Sequence, residues 1–251
     1  MSITNNEFEI FSRQLILNEF GEKNFQKLQS KTISIIGIGG IGCPLAQYLV
    51  ACGIKNLNLF DGDIIKKNNL NRQTLFSVKN IGKKKSTIAK YKLLETNPDA
   101  KINAYNENIS LNNVKLLKNS SIIIDASDNW KTMRLTNKFA QKNNIPLLSA
   151  SVIGFDIQLA LFENIKNKHL CLECIYSNKK ETDLARCETV GILGTAAGLA
   201  GILSAQKTIN FLMKFNKNNN SFLTLIECKS LLINHIKIEK NTNCKLFKVY
   251  E

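Results

Sequence analysis

Proline is scarce in this chain, with only three residues, histidine occurs twice and tryptophan once. Few prolines, 13 glycines and no biased tract beyond Asn216 to Asn220 exclude long flexible linkers and collagen-like repeats. The two histidines, His169 and His235, have no motif around them, so no histidine-based metal or acid–base centre is legible. Seven cysteines are an odd number without the spacing of a disulfide framework, and the N-terminus lacks the basic and apolar regions of a secretory signal. A reducing cytoplasm is therefore the expected location. Long apolar runs are also missing: Thr189 to Ala205 falls just under the ~18 residues of a membrane span, is dense in Gly and Ala, and reads as a buried helix. No membrane partner is expected.

Acidic residues are in the minority, 20 against 34 lysines and arginines in 251 residues, giving a net charge of +14. The excess is mostly lysine scattered among asparagine and isoleucine, a mixture that A- and T-rich coding also produces. Net charge therefore supplies no argument for a nucleic-acid partner.

Thr32-Ile33-Ser34-Ile35-Ile36 is an apolar, β-branched run, closed by Gly37-Ile38-Gly39-Gly40-Ile41-Gly42. A helix-like stretch from Cys43 to Cys52 follows, then the strand Asn56 to Phe60 and the turn Asp61-Gly62-Asp63. After a polar insertion from Ile64 to Asn80 come a helix from about Gly82 to Glu95 and a strand near Lys101 to Tyr105. The strand Ser121 to Ile124, a helix from about Trp130 to Lys142 and the strand Leu147 to Ser151 complete the alternation. Apolar strands alternating with helices predict a Rossmann-like, doubly wound, mostly parallel α/β sheet covered on both faces. Beyond Ser151, strand Phe155 to Phe162, a charged loop from Asn164 to Arg186, the apolar helix to about Met213 and a hairpin of Phe222 to Glu227 with Leu231 to Glu239 predict an antiparallel C-terminal extension. One domain over 1–251 is expected, with a helical lead-in at 1–30, a nucleotide-binding part at 31–151 and a partner-binding antiparallel part at 152–251.

Gly37, Gly39 and Gly42 form G-x-G-x-x-G between a strand and a helix, where backbone N–H groups and the helix dipole can meet a phosphate. Close packing of strand on helix would also use such glycines. Asp61, ending the next strand, is placed to accept from ribose hydroxyls. Asn68, Asn69, Asn71, Arg72 and Gln73 form an amide and guanidinium cluster just beyond it, and Lys85 opens the next helix. Cations in that place suit a triphosphate under attack. Asp128, at the carboxyl end of the fourth strand, suits Mg²⁺ beside phosphates, although Asp128 and Asn129 equally suit the cap of the following helix.

Together these residues resemble the ThiF/MoeB/HesA family of ubiquitin-activating-enzyme-like adenylyltransferases. The resemblance runs from Phe11-Ser12-Arg13-Gln14 through Gly37 to Gly42, Asp61-Gly62-Asp63, Asn69 to Gln73, Gly82 to Lys85, Ser127-Asp128-Asn129, Cys171-Leu172-Glu173-Cys174 and Arg186 to Gly191, to Asn243-Cys244. It implies that the C-terminal glycine carboxylate of a ubiquitin-fold sulfur carrier attacks the α-phosphate of ATP, releasing pyrophosphate. Gly40 and Asp61 then contact the nucleoside side, Asn71, Arg72 and Lys85 the phosphates, and Asp128 the magnesium. It also implies a homodimer in which Arg13 reaches the partner's ATP, and a sulfur-donating enzyme downstream. Ser149 to Phe155 with Gln158-Leu159, and the short loop before Cys187, look more like ThiF of thiazole (thiamine) synthesis than MoeB of molybdopterin synthesis.

Cys171 and Cys174 form a C-x-x-C pair in a segment without a helix pattern, a spacing that suits zinc. Family members place a second such pair near the C-terminus. Here Cys244 is present but Phe247 stands three residues later, so the fourth position falls to Cys228, a histidine or water, or the metal has been lost. Cys187 matches the cysteine that joins the activated carrier in ThiF-like enzymes, and an unreactive loop thiol fits it as well. Cys43 and Cys52 read as small core residues. Two rivals stay open on the sequence alone: a nicotinamide-dependent oxidoreductase on the same glycine motif, and a non-catalytic carrier-binding adaptor.

Overall fold

The computed structural model describes residues 3–163, 170–176, 191–215, 222–241 and 244. Two helices lead in, α1 (Asn5–Leu15) and α2 (Gly21–Gln29). Thr4 and Glu7 form a reciprocal capping box at the start of α1. Glu7 does more than cap: it also accepts from Gln29 Nε2 at 2.7 Å and from Lys55 Nζ at 2.8 Å. Phe11 packs against Phe25 with the ring centres 4.8 Å apart and the planes tilted by 46°, and Gln14 donates to Ala51 O. The lead-in is thereby fixed to the body of the protein.

The donors around Glu7, Lys55 first and then Thr4 and Gln29, hold its acid down to about 2 from an ordinary 4.5. A depressed carboxylate contributes stability that is complete above 4.5 and lost as pH falls toward 2. Glu7→Gln should therefore melt below wild type at neutral pH, and the gap should close across that window in a series of thermal melts. A gap independent of pH would remove the ionised carboxylate from the explanation.

The body is one eight-stranded sheet. In chain order it is built from β1 (Thr32–Ile36), α3 (Gly42–Ala51), β2 (Asn56–Phe60), α4 (Lys85–Thr96), β3 (Lys101–Tyr105), β4 (Ile122–Asp125), α5 (Trp130–Lys142), β5 (Leu147–Ile153), β6 (Asp156–Phe162), α6 (Leu172–Tyr176), α7 (Gly194–Met213), β7 (Phe222–Glu227) and β8 (Leu232–Lys237). The strand order is β3-β2-β1-β4-β5-β6-β7-β8. β1 to β5 pair in parallel, and β6, β7 and β8 extend the sheet antiparallel. The expected fold class is the observed one.

β1 and β4 are buried along nearly their whole length because both faces are covered, which is why they read as unbroken apolar runs. One core layer joins α2, α3, α4 and the C-terminal half of α7 to the sheet, and a second lies under α5 and α6 on the opposite face. The Gly- and Ala-rich start of α7 packs on the antiparallel strands, and its small residues let it lie close against α3. No helix among the described residues is long and apolar enough to cross a membrane.

Three expectations need correction. The segment from Asn164 to Arg186, expected as loop, contains α6, so Cys174 of the C-x-x-C pair is helical. Five residues are too few for an apolar periodicity to show. The helix expected before Lys85 begins only there, because Gly82 adopts φ +84 in a turn whose N–H bonds Ile65 O. The apolar helix begins at Gly194 rather than near Thr189, after Gly191 at φ +77.

Candidate active site

The chain leaves β1 toward β2 on one side and returns to β4 on the other, so the carboxyl ends of β1 and β4 open a crevice. An open cleft of about 1060 Å³ occupies it. Gly37, Gly39 and Gly40 line its floor, and Gly42 does not. The two interpretations of the glycine motif therefore divide between residues. Gly37 has φ +88, and a Cβ there would stand 2.8 Å from Ala126 O; one on Gly42 would stand 2.0 Å from Gly37 O. These two permit the close crossing of strand, turn and helix; Gly40, where a Cβ would stand 3.0 Å from Ala197 Cβ and 3.2 Å from Arg72 Cγ, also lets its neighbours pack, and Gly39 is the open position beside the start of α3.

Asp61, at the end of β2, is 6% exposed and fastens this turn. Its Oδ2 accepts from Ile38 N at 2.8 Å and its Oδ1 from Asp63 N at 2.9 Å. Burial raises its acid above the ordinary value, while Lys85 and the two backbone donors oppose the rise. Lys85 is also 6% exposed and pairs at 2.8 Å with Asp63, whose side chain remains open to solvent. A buried ammonium needs a partner, and an incoming phosphate can take over from Asp63. Asp63 was not assigned a role on the sequence, although it stands two residues from the ribose-side acid.

Arg72 lines the same cleft, its Nη1 held by Asn68 O at 3.0 Å and Asn71 Oδ1 at 3.1 Å. Asn68 and Asn71, expected at the nucleotide, stand behind Arg72 and aim it, and Asn69 takes a place on the wall. Gln73 is 3% exposed, and its Oε1 has no hydrogen-bond partner among the described residues. A buried amide oxygen on a cleft wall is an acceptor for a ligand or an ordered water.

Asp128 and Asn129 occupy the wall across the sheet, and here the two readings again separate. Asn129 caps α5, its Oδ1 accepting from Thr132 N at 3.1 Å. Asp128 is exposed, and among the described residues its carboxylate forms no hydrogen bond or ion pair. Asp125, one turn back at the end of β4, is 1% exposed; burial pushes its acid up to about 6 against the pull of two bonds from Ser127. The far wall carries residues that no motif announced. Trp130 meets Tyr176 edge-on at 5.4 Å, Tyr176 donates to Gln158 Oε1 at 2.5 Å, and the Arg134 guanidinium lies 5.0 Å from the Trp130 ring centre.

Arg13 is exposed on α1 and does not line the cleft. Cys187 and Phe247 lie outside the described residues. Cys244, by contrast, comes within 3.6 Å of Cys171 Sγ, and Cys174 Sγ is 4.0 Å from the same atom. All three sulfurs lie within 4.8 Å of one another. Two thiolates on one tetrahedral zinc stand about 3.8 Å apart, given Zn–S bonds of about 2.3 Å, so the spacing fits. The Cys171 thiol bonds toward Cys174, which holds Cys174 down to about 6 and pushes Cys171 up. Cys228 is not a member of this cluster; it packs against the apolar layer under α7. Cys43 is fully buried, and burial pushes its thiol up to about 12, as a core residue requires.

A glycine turn, a buried carboxylate and a pair of positioned cations at the switch point of a doubly wound sheet define a nucleotide-binding protein of Rossmann-like type. The ThiF family profile matches residues 11–246, and the chain belongs to that family. It is 33% identical over 245 residues to "Adenylyltransferase and sulfurtransferase MOCS3-1" of Drosophila pseudoobscura pseudoobscura, covering 96% of this chain and 54% of that protein. The MOCS3 protein of Drosophila willistoni is 35% identical over 213 residues, 84% of this chain and 46% of the other. The chain thus spans about half the length of the curated relatives it matches. Among solved structures, E. coli MccB superposes with a TM-score of 0.81 at 22% identity, over 98% of this chain and 73% of MccB. PaaA gives 0.79 at 19% identity, over 96% of this chain and 76% of PaaA. Those two likenesses establish a shared fold.

Proposed function

We propose that the chain adenylates the C-terminal carboxylate of a ubiquitin-fold sulfur carrier protein with ATP, releasing pyrophosphate. The observation that carries this reading is the meeting of Arg72, Lys85 and an uncommitted Asp128 with the glycine turn in one cleft. Neither a hydride-transfer enzyme nor a pure binding module needs a phosphate-neutralising set of that kind. The adenylyltransferase relatives support it.

The chemistry follows from charge. A carrier carboxylate oxygen forms a bond to the α-phosphorus, the bond from that phosphorus to the bridging oxygen breaks, and its electron pair leaves on pyrophosphate. Asp61 accepts from the ribose hydroxyls, and the start of α3 faces the phosphates. Arg72, already aimed by Asn68 and Asn71, offers its free N–H groups to the phosphate oxygens, and Lys85 exchanges Asp63 for the leaving group. Holding the anion in line supplies what a weak nucleophile lacks in water. A carboxylate at Asp128 with no bonded partner among the described residues fits a magnesium ligand of hard oxygen type, and the ion when bound would neutralise phosphate charge. Arg13, exposed on α1 away from its own cleft, serves the partner's site in a homodimer.

The carrier's pathway has two readings. The Ser149 to Phe155 stretch favours the thiazole (thiamine) branch, whereas 33% identity to a MOCS3 protein over 96% of this chain favours the MoeB-like branch. Carrier-dependent exchange of labelled pyrophosphate into ATP, run with carriers of both branches, separates them: only the cognate carrier supports exchange. A sulfur-donating enzyme acts next, in the cytoplasm, with Cys187 as the candidate thiol for that step.

Zinc fits the cluster of Cys171, Cys174 and Cys244, with a fourth position that Cys228 does not fill. Three thiolates leave the tetrahedron of a structural zinc site incomplete, and Phe247 cannot ligate. Protein purified without chelator should contain well under one zinc per chain, and added zinc should load it in a manner lost in Cys171→Ser. Stoichiometric zinc that resists chelation would instead show a fourth protein ligand.

A further inference from the structure

We propose that Asp125 is a positioning residue for the magnesium side of the cleft: by accepting both donors of Ser127, it fixes the turn that presents Asp128. This rests on the adenylation reading for its metal, but its geometry stands apart from the identity of the carrier.

Among the described residues, the turn after β4 is tied down on both sides of Asp128 and not at the Asp128 side chain itself. Before it, Ala126 N donates to Ile36 O at 2.9 Å. Ser127 then gives Asp125 Oδ1 two bonds, from its N at 3.0 Å and from its Oγ at 2.6 Å. After it, Asn129 closes the cap of α5. Only Asp128 lies between these anchors, so its carboxylate can move no further than they allow. The 2.6 Å separation falls in the range of a charge-assisted O–H···O⁻ bond, which is stronger and stiffer than a neutral one.

Asp125 is itself immobile. It pairs in register with Ile36 of β1 and Ser149 of β5, at the centre of the parallel sheet. A carboxylate at 1% exposure is costly to bury, and the sheet needs no acid there. Burial holds its acid above the ordinary carboxylate value, which is the mark of that cost. What the acid provides is a rigid acceptor for a turn that has one side chain facing phosphates. Groups behind a metal ligand commonly alter metal affinity by about 10- to 100-fold.

The test reads metal dependence by binding, without turnover. A fluorescent ATP analogue is titrated into the full chain with and without Mg²⁺, for wild type, Asp125→Ala, Asp125→Asn and Ser127→Ala, with thermal melts alongside. The amide of Asp125→Asn still accepts both Ser127 donors. Asp125→Ala should raise the Mg²⁺ concentration for half-maximal binding by about tenfold, with metal-free affinity unchanged, and Asp125→Asn should recover most of the loss. If Asp125→Ala fails to fold, Ser127→Ala removes the Oγ contact while keeping the backbone one, and should shift Mg²⁺ dependence in the same direction by a smaller factor. Equal loss of metal-free and Mg²⁺-dependent binding, or wild-type Mg²⁺ dependence in folded Asp125→Ala or Ser127→Ala, would overturn the proposal. Failure of the adenylation reading would appear separately, as wild-type protein that binds Mg²⁺ and ATP yet activates no carrier.

Discussion

Replacing Arg72 by alanine, or Asp128 by alanine, should lower carrier-dependent pyrophosphate exchange by ~10² to 10³, the usual loss when one stabilising contact to a charged transition state is removed. The fold should survive both. Arg72 is half-buried on a loop and is held by Asn68 and Asn71, not by the core, while Asp128 is exposed and unbonded among the described residues. The two effects should differ in kind. Arg72→Ala removes a fixed charge and should resist rescue by metal, whereas Asp128→Ala weakens the metal and should recover in part at high Mg²⁺. Circular dichroism and melting curves separate chemistry from folding. Wild-type exchange in both variants would mean that the cleft is not the site of adenylation.

Arg13 should give the second large effect, and its position makes the result diagnostic. It lies on α1, exposed, outside the cleft formed by its own chain. The same helix and its C-cap leave Phe8, Ile10 and Ile16 at least half exposed, an apolar surface that suits contact with a second copy. Arg13→Ala alone should reduce exchange by about as much as Arg72→Ala, ~10² or more. Mixing the two variants should restore part of the activity, because a heterodimer contains one site with both arginines intact. A verified heterodimer without recovery would place Arg13 in its own chain's site or in none.

Much of the sheet was legible because parallel strands buried on both faces leave uninterrupted apolar runs. Thr32 to Ile36 and Ile122 to Ile124 are such runs, and each ends where a ligand edge begins. The glycine motif and Asp61 were legible because their function depends on spacing within one strand–turn–helix unit. The division of labour among them was not. Whether Gly42 faces a phosphate or the Gly37 carbonyl, and whether Asn129 binds a ligand or caps α5, depends on distances between elements. Asp63, Trp130 and Tyr176 were not singled out for the same reason: each acquires its meaning from a neighbour far along the chain, as when Tyr176 reaches Gln158 from another element. Cys244 shows the converse. Its identity was legible, but only folding brings it 3.6 Å from Cys171, 73 residues away. Asp125 stood just past an apolar strand read as ending at Ile124, and nothing local separates a buried acid with a purpose from the first polar residue after such a run.

Adenylation leaves a product that can be weighed. The chain is incubated with ATP, Mg²⁺ and a carrier ending in a free glycine carboxylate, and the intact carrier is then examined by mass spectrometry, with pyrophosphate release followed in parallel. The account predicts a carrier heavier by one adenylyl group, formed with one pyrophosphate, absent with Arg72→Ala and absent when the carrier's C-terminal carboxylate is amidated. ATP cleaved without modification of any carrier, or an adenylyl group that persists on the amidated carrier, would contradict it.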